Sequence, residues 1–248
     1  MLNNNNYIDI DLNVKDQYIY RIISIDRLFE LFLNKKNVLV SPKKWEDPFE
    51  NFILKSKAKL PDGEMVDFGF RDDFYGQCWS RHKASDAMWR IYSPKSNGVR
   101  IRTTIPKLAN SLATGLQPWQ NVQCFIGKVK YLDNKKMMDF ANTVFRGKIN
   151  PEAYELAKTL LVKRPAFRHE NEVRLLYFEK ENSNPHGIYK YAIDPHDLID
   201  QIMIDPRVDY PEFLKIKADI KSKTNFKGKI LRSLLYAPPK NMVFPFGV

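Results

Sequence analysis

Apolar and polar positions recur along this chain with two periods, and the switches between them mark out short elements. Tyr18-Ile19-Tyr20-Arg21-Ile22-Ile23 is an aromatic and β-branched run of strand length. It stops at Ser24, a hydroxyl placed to cap a helix with Asp26 in its first turn. Ile25, Leu28, Phe29, Phe32 and Leu33 then follow at helical spacing until the polar stretch 34–37, and Val38-Leu39-Val40 predicts the next strand. Gly76-Gln77-Cys78-Trp79-Ser80 predicts a strand and Asp86 to Tyr92 a helix of one to two turns ended by Ser93-Pro94. A turn over 95–98 leads to the alternating strand Val99 to Thr104. Helices are predicted over 106–112, 136–145 and 151–163, the last with Pro151 in its first turn, and over 211–223. Strands are predicted over 123–131, 187–193, 198–204 and 230–236. The Asn-rich stretch 1–16 reads as a flexible N-terminal segment whose alternating Tyr7, Ile8, Ile10, Leu12 and Val14 could add an edge strand. Residues 55–75, charged and punctuated by Pro61 and Gly63, read as a lid or insertion. With no internal repeat and no linker-like break, the pattern predicts one mixed α+β domain over 1–248.

One stretch concentrates chemistry. Phe167-Arg168-His169-Glu170-Asn171-Glu172-Val173-Arg174-Leu175-Leu176-Tyr177-Phe178 reads as a buried strand with two carboxylates and an arginine at its mouth. The strand period of two would put Glu170, Glu172 and Arg174 on one face. Such groups must be solvated, paired or used to line a cleft, so the stretch is either a strand end capped by an Arg174 salt bridge or part of a site. Arg21 poses the same question, because a guanidinium inside an apolar strand needs a carboxylate, an anionic ligand or an outward face. Trp45-Glu46-Asp47-Pro48-Phe49-Glu50 is an acidic turn between aromatics, either a structural plug or a pocket rim.

Composition narrows the classes. An apolar fraction of 44%, with 16 Phe, 12 Tyr and 4 Trp, is ample for a folded core. No run approaches the ~18 apolar residues of a membrane span. The polar start lacks a signal peptide's apolar centre, so a cytoplasmic protein without a membrane partner is expected. Cys78 and Cys124 stand far apart and read as reduced thiols, and the four histidines show no zinc spacing, so no metal site is expected. The 10 glycines form no phosphate loop, which removes the usual support for nucleotide-triphosphate hydrolysis and Rossmann-type binding. The formal charge of +11 does change the picture, since it attracts polyanions: a nucleic acid or a phosphorylated small molecule.

Taken in order, Tyr20-Arg21-Ile22-Ile23-Ser24, Glu46-Asp47-Pro48-Phe49-Glu50, Cys78-Trp79-Ser80, Met88-Trp89-Arg90-Ile91-Tyr92, Gly98-Val99-Arg100-Ile101 and Glu170-Asn171-Glu172-Val173-Arg174-Leu175 resemble the motifs of a widespread bacterial domain-of-unknown-function family. Its members typically carry Tyr-His-Tyr-Thr-Ser, Asn-Asp-Pro-Phe-Glu, Cys-Phe-Ser, Met-Trp or Gln-Trp-Arg, Gly-Val-x-Ile and Glu-x-Glu-Trp-Arg-Leu. The family is similar, more distantly, to ADP-ribosyltransferase folds, which implies a split, mostly antiparallel β core flanked by helices. It also implies NAD as substrate. Arg21 then matches the His or Arg that holds the dinucleotide at the end of the first core strand. Ser80 or the segment Trp89 to Tyr92 matches the central piece, and Glu172 the catalytic glutamate of a paired Glu-x-Glu. Arg21 stands where the bacterial family often has His, and Ile23 where it has Thr.

The resemblance implies that Glu172 stabilises the positive charge developing on the ribose as the nicotinamide bond breaks, while Glu170 acts as general base or orients the acceptor. Arg21 and Arg90 would hold the pyrophosphate, and Trp45, Trp89 and Tyr92 would stack on a ring unless they belong to the core. Tyr20, Ser24 and Arg174 complete the expected set as members of the same motifs. The implied function is transfer of ADP-ribose to a nucleic acid or protein, as a toxin or phage-defence effector with an antitoxin or regulatory partner. The alternatives are a non-catalytic, basic nucleic-acid-binding or regulatory module, using the Lys and Arg of 95–102, 128–136 and 215–232, and a nuclease, for which no metal-carboxylate pattern is visible.

Overall fold

The computed structural model describes residues 2–14, 17–45, 48–60, 62–70, 72–116, 123–145, 151–180 and 186–236. Glu46 and Asp47 of the acidic turn lie outside them. The strands are β1 (Tyr7–Ile8), β2 (Tyr18–Ser24), β3 (Lys36–Val40), β4 (Lys57–Lys59), β5 (Met65–Asp67), β6 (Phe74–Ser80), β7 (Gly98–Thr104), β8 (Cys124–Lys128), β9 (Lys130–Tyr131), β10 (Val162–Lys163), β11 (Glu172–Phe178), β12 (Ile188–Ala192), β13 (Gln201–Ile204) and β14 (Lys229–Arg232). The helices are α1 (Ile25–Asn34), α2 (Phe52–Lys55), α3 (Asp86–Tyr92), α4 (Ile105–Gly115), α5 (Asn134–Phe145), α6 (Ala153–Thr159), α7 (Pro195–Leu198) and α8 (Tyr210–Thr224).

Among the described residues, ten strands form one sheet in the order β1-β8-β11-β6-β2-β7-β13-β14, with β3 on β6 and β12 on β3. It is mostly antiparallel, as expected; the outer pairs β1 with β8 and β13 with β14 are parallel. It is also split. Along one edge of β6, β2 pairs only at Tyr20 with Ser80, and β3 only at Val40 with Gly76, so the two halves diverge from a single joint.

Period two decides what each face meets. Val173, Leu175 and Tyr177 of β11 join Ile19, Ile101 and Ile126 in a core closed by Leu28 and Phe32 of α1, Leu108 and Leu112 of α4 and Phe213, Ile216 and Ile220 of α8. Leu176 and Phe178 face the other way, into a second core with Phe74, Phe125 and Leu156, Leu160 and Leu161. Glu172 and Arg174 share that second face, and the whole strand is buried.

The α3 helix roofs the cleft described below. Ser85 caps its start by accepting from the Met88 N–H at 3.3 Å. Its far end is pinned by Ser93, whose hydroxyl donates to Asp205 at 2.7 Å and accepts from the Gly98 N–H at 2.9 Å. Arg207 clamps Asp205 and donates to the carbonyls of Trp89 and Ser93.

Several predicted bounds change. The helix expected over 151–163 covers only Ala153–Thr159: Glu152 caps it, and the Thr159 hydroxyl bonds back to the Leu156 carbonyl at 2.6 Å. Lys163 therefore sits on β10, beside β9, instead of on a helix. The strand expected over 123–131 is two, β8 and β9. Residues 195–198 turn helically before β13 begins. Within 55–75, β4 and β5 pair as a separate hairpin.

Candidate active site

A cleft of about 700 Å³, mouth included, opens where the sheet splits, between its second face and α3. Tyr20, Arg21, Ser80, Trp89, Tyr92, Glu170 and Glu172 all line it. Register explains the gathering: Glu172 lies opposite Ser80, and Ser80 opposite Tyr20, so three strands deliver one row of side chains.

Glu170 reaches the cleft by another route than the expected one. It ends a 3-10 turn, Pro165–Glu170, and the chain reverses through Asn171 at φ 43° before β11 begins. The two carboxylates thus approach from different elements. Ser80 fixes the turn, its hydroxyl donating to the Glu170 carbonyl at 2.7 Å, and the Tyr92 hydroxyl donates to the Glu170 carboxylate at 3.4 Å.

Behind the cleft wall lies a buried ionic cluster of three carboxylates and two cations. Lys163 Nζ is 2.6 Å from Glu50, 3.5 Å from Glu172 and in contact with Glu170. Arg174 meets Glu172 at 2.8 Å and Glu50 at 3.0 Å, donates to the Leu160 carbonyl at 2.6 Å and lies 4.5 Å over the Trp45 ring. Arg174 does bridge to Glu172 at the strand end, as one of the two alternatives had it, but with Arg174 0% and Lys163 4% exposed the bridge is part of a buried cluster.

The cluster separates the two glutamates. Burial raises the Glu170 carboxyl and the Glu172 charge adds to it, against the pull of Lys163. For Glu172, burial acts in the same direction, yet Arg174 and Lys163 overcome it and the Cys78 thiol hydrogen-bonds to the carboxylate, so it is held below the usual range. Glu172 is the firm anion and Glu170 the group with the greater appetite for a proton. Burial drives the Cys78 thiol well above its ordinary value, with Glu172 reinforcing the effect, so Cys78 is a donor here and not a thiolate.

Toward β2 and β7 the lining is cationic. Arg21 is half-buried, and among the described residues no carboxylate pairs with it; burial lowers its pKa while Cys78, Tyr191 and Tyr92 pull the other way. Arg100, on β7, also lines the cleft.

Four expected residues lie elsewhere. Ser24 caps α1 by accepting from the Arg27 N–H at 3.2 Å. Trp45 and Arg174 stand behind the cleft, and Arg90 is exposed and paired with Asp86 at 2.8 Å. Conversely, Cys78 and Arg100 on the cleft wall and Lys163 behind it were not among the expected site residues. The strict alternation in 99–104 is a signal for Arg100, which it puts on the same face as Arg102. Lys163 gave none while it stood on a predicted helix. Among the described residues, no group of three or more His, Cys, Asp or Glu is arranged to hold a metal ion, and no helix is long and apolar enough to cross a membrane.

Comparison with known proteins adds the following. Residues 88–175 match the profile of a protein family of unknown function, DUF2971, a stretch that runs from α3 to Arg174 and Leu175 of β11. The resemblance to a domain-of-unknown-function family is thereby borne out for the second half of the motif series. No curated protein matches the chain. Among solved structures, DarT of Thermus sp. 2.9 is similar in complex with NAD+, at 13% identity and a TM-score of 0.41, over 89% of this chain and 96% of that one. The same protein in complex with carba-NAD+ gives 12% and 0.40, over 89% and 97%. In complex with ADP-ribosylated ssDNA it gives 12% and 0.41, over 89% and 95%.

Proposed function

We propose that this chain is an NAD-dependent ADP-ribosyltransferase with a nucleic acid as its favoured acceptor. The observation that carries the reading is the meeting of a firmly ionised Glu172, a proton-seeking Glu170 and an unpaired Arg21 in one cleft at the joint of a split sheet. Charge that develops on a ribose as its bond to a cationic nicotinamide breaks needs a fixed anion beside it. Glu172 supplies it, prepaid by burial with Arg174 and Lys163. The C1′–N bond breaks with its electron pair leaving on nicotinamide, a C1′–acceptor bond forms on the other side, and Glu170 takes the acceptor's proton. Arg21 holds the phosphates and Tyr92 walls the ring, while Trp89 belongs to the buried core. The charge of +11, with Lys83 and His82 at the cleft, supports a polyanionic acceptor over a neutral one.

The test is release of labelled nicotinamide with single-stranded DNA, RNA and protein offered in turn. Glu172→Gln is expected to lower the rate by about 10²–10³-fold or more, as for loss of a preorganised electrostatic group. Equal, background-level release by wild type and variant with every acceptor overturns the reading. Salt-dependent nucleic-acid binding unaffected by that variant would then mark a binding module.

A further inference from the structure

Arg100 is a buried charge that the described residues satisfy poorly. It is 3% exposed, yet its Nε has no hydrogen-bond partner, and its single bond runs from Nη2 to the Gln201 side chain at a long 3.4 Å. Among the described residues no carboxylate pairs with it. Its neighbour Arg102, two positions on, takes both oxygens of Asp200 at 2.8 and 2.9 Å. The Arg100 guanidinium lies 4.6 Å over the Tyr20 ring, which is attractive but leaves its N–H donors unused. Burial pushes its pKa down to about 10, only partly offset by Tyr20 and reinforced by Arg102. Arginines so placed receive anions, because the rigid fork of donors matches phosphate oxygens and the desolvation is already spent.

Position narrows the anion. From Glu172 on β11 the sheet runs through β6 and β2 to β7, and Arg100 leans back over Tyr20 of β2. Two strand spacings of ~4.8 Å separate β11 from β2, about 10 Å. A ribose seated against Glu172 does not reach so far by itself, whereas a ribosyl diphosphate does. We propose that Arg100 is a second diphosphate-binding residue of this cleft, acting beside Arg21, and that its ligand is a nucleoside diphosphate derivative. The identity of the leaving group rests on the reading above; the anion subsite does not.

The experiment measures binding of ADP, NAD, NADP and adenosine by calorimetry to wild type, Arg100→Gln and Arg100→Lys, with the ligand-free melting temperature of each. Arg100→Gln is expected to weaken ADP and NAD by about tenfold or more while adenosine is little changed, with Arg100→Lys intermediate. Ligand-free Arg100→Gln should melt no lower than wild type, since it discards an uncompensated buried charge. Undiminished ADP binding by Arg100→Gln, or a failure of wild type to bind ADP or NAD, overturns the assignment. A ligand-free variant that melts well below wild type also overturns it, by making Arg100 structural. Loss confined to NADP would move the residue to a 2′-phosphate and overturn the diphosphate subsite. If Arg100→Gln loses ADP while wild type releases no nicotinamide, the subsite stands and ADP-ribosyl transfer falls.

Discussion

Lys163→Met removes the ammonium that three carboxylates share. In the native protein Glu50, Glu170 and Glu172 face Lys163 and Arg174, so one negative charge is in surplus; without the lysine the surplus is two, among residues only 0–6% exposed. Breaking a buried pair typically costs about 3–5 kcal/mol, and for a chain of this size that is a fall in Tm of roughly 6–20 °C. The sign with pH can be worked out. Burial lowers the Lys163 pKa, but Glu172, Glu170 and Glu50 outweigh it and hold the ammonium above its ordinary value. Its stabilising contribution is therefore complete at and below neutrality and disappears only as pH rises through that raised value. Any recovery of the variant in acid must come from protonation of its stranded carboxylates, Glu170 first. Urea denaturation at pH 7.5 and pH 5 should show a deficit that shrinks in acid, and adding Glu170→Gln to Lys163→Met should restore part of it at pH 7.5. A deficit below about 1 kcal/mol, the scale of an exposed pair, would refute the reasoning. So would one that ignores both pH and the second substitution.

The raised Glu170 carboxyl predicts that kcat/KM for nicotinamide release climbs with pH along a limb lying above the ordinary glutamate value of about 4.3. A profile from pH 4 to 9 should lose that limb in Glu170→Gln, and its persistence there would assign it to another group. In stability the same shift has the opposite consequence: Glu170 favours the fold below its unfolded pKa and ceases to do so as pH rises through the raised one. Glu172, held low, favours the fold above its unfolded pKa and loses that contribution as pH falls through the native one. Gly76→Ala would set a Cβ 2.6 Å from the Trp45 ring and 3.1 Å from Leu176, driving Trp45 off Arg174. The expected loss is about 1–3 kcal/mol, read by thermal melting, and an unchanged Tm would show the ring is free to swing aside.

Elements with strong local signals were readable before the structure. The Tyr18-to-Ile23 run, the Ser24 cap, the Asp86-to-Tyr92 helix and the 99–104 alternation all fall within a residue of their observed bounds. What local signals cannot express is partnership between distant strands. Lys163 was misplaced because the apolar spacing of Tyr154, Leu156, Ala157, Leu160 and Leu161 continues the helical pattern past Thr159, where the chain turns to pair with β9. Arg174 was expected to bind ligand, yet its guanidinium is taken up by Glu172, Glu50 and the Leu160 carbonyl and lies over Trp45. Arg90 was expected to hold the pyrophosphate as part of the Met88-to-Tyr92 motif. At helical spacing it emerges on α3's outer side instead.

The Glu-x-Glu pair depends on the residue between its two letters. Asn171 holds a left-handed backbone at φ 43°, which costs most side chains about 1–2 kcal/mol and which Asn, Asp and Gly tolerate best. It is an elbow and not a spacer, lifting Glu170 out of the sheet's pleat. A β-branched residue there would favour extended backbone and draw Glu170 into line with β11, away from Tyr92. Chains that keep both acids but place valine or isoleucine between them would spell the motif without building its geometry.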